Sequence, residues 1–214
     1  MKNRREFLTA GAAILPVLAL TACASGGSAE LVEHLAGNSC KKPGGASAKY
    51  FPNRVVMTHE GRKAWFYDDL VKNKIVGLNF MSIRSEEQFA VTQNLAKVQV
   101  LLGDKLGREV FLLSLTTDPE HDTPAALEAF AKQHGAKDGW SFVTGSVVDM
   151  QALYHKLGAH GHGAAGGHHV WRYGNEPYAR WAASHAMAKP QQLAQRLAWV
   201  EVRKNPPSPK PQIS

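Results

Sequence analysis

Cysteine is almost missing from this chain: the only two, Cys23 and Cys40, both precede residue 41. Everything downstream lacks a thiol, which excludes dithiol exchange, thiol peroxidase chemistry and a thiolate metal site in the body of the protein. Long hydrophobic runs are missing too. The apolar stretch Phe7–Leu20 is shorter than the ~20 residues that usually span a bilayer, and Pro16 interrupts it. No glycine-rich phosphate loop, Ser-His-Asp order or clustered basic stripe occurs, so the chain is expected to be neither an enzyme nor a nucleic-acid binder. What remains is ample for a core. Hydrophobic residues make up 44% of the chain, and a body of ~150 residues needs no disulfide or metal staple to fold.

The first residues read as an address. Arg4-Arg5 followed by Phe7-Leu8 and the short apolar run has the charged and apolar regions of a secretory signal, of the twin-arginine type, over residues 1–22. Leu20-Thr21-Ala22-Cys23 fits a bacterial lipobox, in which Cys23 becomes the acylated first residue; Ala22-Cys23-Ala24 also fits a small-residue cleavage site that discards it. Residues 23–48, rich in Gly, Ala and Ser, read as a flexible linker. Loss of Lys2, Arg4, Arg5 and Glu6 with the signal would lower the formal net charge of +7 by two. The expected location is the periplasmic side of a bacterial membrane, lipid-anchored at Cys23, an oxidising compartment.

The body is expected over residues 49–203, followed by a Pro-rich, disordered tail over 204–214. Val55–Phe66 reads as a hairpin turning at His59–Arg62, and Lys74–Met81 as a strand buried on both faces. Val91, Leu95, Val98 and Leu102 follow helical spacing and stop near Gly103. Val110–Leu115 is a second buried strand, leading through Asp118–Pro124 into a helix that Pro124 opens with Thr123 or Asp122 as cap. A short strand at Trp140–Val143, a helix capped by Ser146, a strand at His168–Tyr173 and a helix opened by Pro190 complete the order. Alternating strands and helices predict an α/β domain with a partly parallel sheet. Asp118 and Asp122 read as turn and cap residues, and Arg84, Glu86 and Glu87 as a solvated ion-pair face.

Three stretches carry a family resemblance: Asn79-Phe80-Met81 with Asn94–Gln99 beyond it, Asp118-Pro119-Glu120-His121-Asp122-Thr123-Pro124, and Arg172–Glu176. In that order and spacing the chain resembles the Sco/SenC family of thioredoxin-like copper proteins over roughly residues 50–201. The resemblance implies a thioredoxin-like fold with an N-terminal β-hairpin and a central mixed sheet flanked by helices. It also implies a role in maturing the copper site of cytochrome oxidase, with a respiratory oxidase subunit or another cuproprotein as partner. The family holds copper with a Cys-x-x-x-Cys pair after the Asn-Phe-Met strand and a distant histidine. Here that pair is missing. Counting from Asn79 puts its positions at Ser85 and Phe89; counting back from Asn94 puts them at Arg84 and Gln88.

Histidine is what the sequence has in excess. Five of the ten fall at His155, His160, His162, His168 and His169, four of them on the glycine-rich stretch His160–His169. Neutral imidazoles suit Cu(II), with Zn(II) as the alternative. In the family pattern the third copper ligand lies just before Arg-Tyr-Gly-Asn, where His168 and His169 both qualify. His185 and Met187 form a further close pair of copper-compatible side chains, and His155 reads as a surface residue. Two readings stay open: an accessory protein that binds metal through the His-rich loop, and a cysteine-free interaction scaffold in which that loop is incidental.

Overall fold

The structure, a computed structural model, describes residues 44–158 and 169–201. The signal segment, Cys23, Cys40, the tail from 204, and His160, His162 and His168 lie outside the described residues.

Among the described residues seven strands form one mixed sheet: β1 (Val55–Thr58), β2 (Lys63–Trp65), β3 (Ile75–Met81), β4 (Val110–Thr116), β5 (Trp140–Gly145), β6 (Val170–Asn175) and β7 (Arg180–His185). They lie in the order β2-β1-β5-β4-β3-β6-β7. β3 pairs in parallel with β4, from Ile75↔Val110 to Met81↔Thr116, and β4 with β5; the hairpin strand β1, and β6 and β7, pair antiparallel. The continuous apolar runs of β3 and β4 follow from this central place, because both faces of these strands are covered. Val76, Leu78 and Phe80 join one core, with Leu113, Leu115, Val143, Leu153 and Leu157. Met81, Leu112, Trp140, Phe142 and Trp171 join the other. Gly77 is needed on β3 because the Trp171 ring crosses it: a Cβ there would sit 2.3 Å from the indole.

Among the described residues five α-helices flank the sheet: α1 (Glu86–Phe89), α2 (Val91–Leu102), α3 (Pro124–Gln133), α4 (Val147–Leu153) and α5 (Pro190–Val200). The apolar stripes of α2, α3 and α5 cover one face; α4 and a helical turn at Phe66–Val71 cover the other. Of the two caps proposed for α3, Thr123 is the one used, its hydroxyl accepting the Ala126 N–H at 3.3 Å. Ser146 caps α4 through the Asp149 N–H.

In the framework, two features differ from the sequence expectation. Residues 44–48, assigned to the linker, are docked. The Ser47 N–H donates to Glu176 at 3.0 Å, Trp181 Nε1 donates to the Ser47 hydroxyl at 2.8 Å, and Ser47 is buried. The folded body therefore begins before residue 49. β7 was not anticipated; it exists through pairing along the whole of β6, from Val170↔His185 to Asn175↔Arg180.

The parallel strands give the molecule two distinct ends. Strands β3 and β4 finish at an upper end, where Met81 leads into α1 and Thr116 into the Asp118 loop, and where β6 begins and β7 finishes. The basal end holds the starts of β3, β4 and β7, the last turns of α2 and α5, and the docked residues 44–47. Among the described residues no helix is long and apolar enough to cross a membrane.

Candidate functional site

The segment that replaces the expected cysteine loop runs from Ser82 to Phe89 at the upper end. Its first turn is closed by serines in place of thiols: the Ser82 N–H donates to Ser85 Oγ and the Ser85 N–H to Ser82 Oγ, both at 3.2 Å. Arg84 points outward, 71% exposed at its side chain, and pairs with Asp118 at 3.5 Å. Asp118 also meets His121 Nδ1 at 2.7 Å. Asp122 of the same motif is buried; it accepts the Ile83 N–H at 3.3 Å and the Thr116 hydroxyl. Burial pushes its carboxyl above the ordinary aspartate range, and the hydrogen bonds from Thr116 and Ile83 offset this only in part. The Asp118–Pro124 stretch is thus the brace that holds the segment after β3 in place.

Glu86 departs from the solvated face expected for it. It is buried, and its carboxylate accepts the N–H groups of Thr92 at 3.1 Å and Gln93 at 3.0 Å. Ala90 stands at the start of α2 and has no side chain to cap with, so Glu86 supplies the cap from the preceding turn. Glu86→Ala is expected to cost about 1–2 kcal/mol in chemical denaturation, the range for losing a helix cap. Glu86→Gln, which keeps an acceptor, is expected to cost less than half as much.

The four vacated positions separate in space. Arg84 and Gln88 are exposed, whereas Phe89 is half-buried with its ring edge-on to the His169 imidazole, centroids 4.6 Å apart. His169, ahead of β6, is the one member of the predicted His160–His169 set among the described residues. The imidazole also stacks on His185 at the end of β7, with centroids 5.0 Å apart and planes inclined by 19°. His169 Nδ1 is buried and has no hydrogen-bond partner among the described residues. Burial, and then the charge of His185, lower its pKa and favour the neutral imidazole, the form that binds metals. His185 Nδ1 accepts the Met187 N–H at 3.1 Å, and the Met187 side chain is 41% exposed.

This arrangement has neutral imidazole at the upper end and an aromatic ring where a thiol would be needed. A Cu(I) thiolate site does not fit it. Among the described residues no three His, Cys, Asp or Glu side chains converge as a ready metal site. The link between His169 and His185 escaped the sequence reading because it depends on the β6–β7 pairing; a second histidine opposite a predicted strand was the available signal.

Residues 90–168 match the family model described as SCO1/SenC. The match begins one residue after Phe89 and ends one residue before His169, so it covers the scaffold between the two. No curated protein matches the chain. Among solved structures the fold is similar to Bradyrhizobium japonicum ScoI with copper bound, at TM-score 0.53 and 13% identity over 68% of this chain and 96% of that one. It is similar to a SCO1/SenC family lipoprotein from Bacillus anthracis, at TM-score 0.52 and 15% identity over 68% and 91%. It is also similar to BsSco, a member of the Sco family of cytochrome c oxidase assembly proteins, at TM-score 0.51 and 17% identity over 68% and 90%.

Proposed function

We propose that this divergent member of the Sco/SenC family, whose body has no Cys-x-x-x-Cys pair, handles copper through imidazoles on the outer side of a bacterial membrane. It is neither a redox protein nor an enzyme. Its cargo is copper, with zinc as the competing metal, and it serves the assembly of a respiratory oxidase or another cuproprotein. The observation that carries the reading is His169: a neutral imidazole whose buried Nδ1 has no partner among the described residues, seated beside the vacated segment. His160, His162 and His168 lie upstream in the chain and supply the further donors of the proposed set. The copper held by ScoI and the oxidase-assembly role named for BsSco's family support it by analogy of fold. The lipoprotein nature of the B. anthracis relative supports export with anchoring at Cys23.

Phe89 favours a second reading. A ring packed edge-on against His169 is an apolar plug, and a plugged site suits a scaffold that docks a partner without metal. Titration of the full chain with Cu(II) and Zn(II), beside the variant His160→Ala, His162→Ala, His168→Ala, His169→Ala, decides between them. We expect stoichiometric Cu(II) binding, weakened at least ~100-fold in the variant and progressively released as the solution is acidified below ~6.5, the reference imidazole pKa, because protons then compete with the metal. Weak binding that neither the substitutions nor acid alters would leave the scaffold.

A further inference from the structure

Six large hydrophobic side chains are exposed among the described residues, and four of them gather at the basal end. Val100 (68% exposed) and Leu101 (49%) lie in the last turn of α2, Tyr178 (61%) between β6 and β7, and Trp199 (57%) in the last turn of α5. The other two, Val147 and Met187, lie at the upper end. The basal four lie at the same end of the molecule. Lys105, just past α2, bonds Glu201, just past α5, at 2.9 Å, which ties the two helix ends together. Arg180, two residues from Tyr178, lays its guanidinium 3.9 Å from the centre of the Trp199 ring. An exposed indole under a guanidinium places an apolar body beside a charged head that can stay in water.

The chain upstream of Gly44 meets the folded body at this same end. Ser47 is held there by Glu176 and Trp181, next to Ala179 and Arg180. The described chain starts at Gly44 on the basal end, so an anchor at Cys23 upstream in the sequence would tether the body to a bilayer from that end.

We propose that the basal end is a membrane-contact surface, with Trp199, Tyr178, Val100 and Leu101 seated in the headgroup layer of a phospholipid bilayer. Tyrosine and tryptophan favour that layer because their rings are apolar at one end and hydrogen-bonding at the other. Arg180 snorkels to the phosphates. The proposal rests on the anchored reading of Cys23 and adds an orientation to it: His169 and the Asp118 loop, at the upper end, face away from the membrane toward a soluble or protruding partner.

The test uses the full chain reconstituted in vesicles of phosphatidylethanolamine and phosphatidylglycerol, with and without brominated acyl chains, which quench only tryptophans that reach them. Of the five tryptophans, Trp199 is the exposed one. Quenching is expected in the unsubstituted chain, lost in Trp199→Phe and retained in Trp65→Phe. If the protein floats with the vesicles but is not quenched, or is quenched equally in Trp199→Phe, the contact surface is wrong and the anchor stands. If Cys23→Ser floats as well as the unsubstituted chain, the anchor at Cys23 is wrong, while quenching at Trp199 still upholds the surface. If the unsubstituted chain does not float at all, both fall.

Discussion

The paired substitution Ser85→Cys, Phe89→Cys is expected to create a stoichiometric Cu(I) site in the body, whereas Arg84→Cys, Gln88→Cys is not. Both pairs have the family spacing of four residues, which places two side chains on one face of a helical turn. The face differs. Phe89 is half-buried and meets the His169 ring at 4.6 Å, while Gln88 is exposed and Arg84 is turned out toward Asp118. Only the first pair would bring a thiolate within reach of the imidazole, and soft sulfur with nitrogen suits Cu(I). The cost to stability is modest. Exchange of the Ser85 hydroxyl weakens the turn by about 1 kcal/mol, and trimming a half-buried phenylalanine costs about 1–2 kcal/mol, less than the 3–5 of a fully buried one. Competition for Cu(I) with a coloured chelator under reducing conditions reads the result directly. Adding His169→Ala to the first pair is expected to weaken the site at least ~10-fold. Equal Cu(I) binding by both cysteine pairs, or indifference to His169→Ala, would mean that the vacated segment does not look onto His169 in solution.

The contrast between these pairs marks how far the sequence could be read. Counting along the chain left Ser85/Phe89 and Arg84/Gln88 equivalent, since one residue of slippage in a loop leaves no trace in composition. The ring contact between Phe89 and His169 joins residues 80 positions apart, and local pattern has nothing to say about it. The legible parts were those in which the local signal and the tertiary demand agree: the doubly covered runs of β3 and β4, the stripe of α2, Thr123 with Pro124 at the start of α3, and Ser146 at the start of α4. β7 went unread because Arg-Trp-Ala-Ala-Ser-His has two small residues at its centre and no clean alternation, and its six residues are held by β6. Glu86 was read as solvated because a charged residue in a polar loop usually is. Its burial follows from the missing cap at Ala90, a demand raised by the helix after it.

The other large effect is expected at Glu176, and it also explains why residues 44–48 are part of the body. Glu176 is 1% exposed, yet it is a carboxylate bonded to Tyr67 of the core that holds Val76, Leu78 and Phe80. It is made tolerable by donors from three parts of the chain: the Tyr67 hydroxyl and the Ser47 N–H to Oε1, and the Asn73 N–H to Oε2 at 2.8 Å. Burial alone would raise its pKa. The hydrogen bonds from Tyr67, Asn73, Ser47 and Ala46 outweigh burial and hold it below the ordinary glutamate value, while burial and the bond to Glu176 push the Tyr67 phenol up. A glutamate with a depressed pKa adds stability that is complete above its unfolded-state pKa and is lost as pH falls through the lower, folded-state value. Glu176→Ala leaves two buried donors, the Tyr67 hydroxyl and the Ser47 N–H, without their acceptor and is expected to cost about 3–5 kcal/mol. Glu176→Gln keeps one acceptor but turns an amide N–H toward that of Asn73, and is expected to cost about 2–3 kcal/mol. For a body of this size the glutamine variant corresponds to a Tm lower by roughly 4–12 °C near neutral pH. The gap to the unsubstituted chain is expected to narrow below the ordinary glutamate pKa, because the native carboxylate then loses what the amide never had. Cleavage by a protease within residues 44–50 is expected to speed up in the same variant, since Ser47 loses its charged acceptor while the sheet stays intact. A Tm difference that stays constant from neutral pH to acid would show that Glu176 holds the segment as a neutral acid and not as a carboxylate.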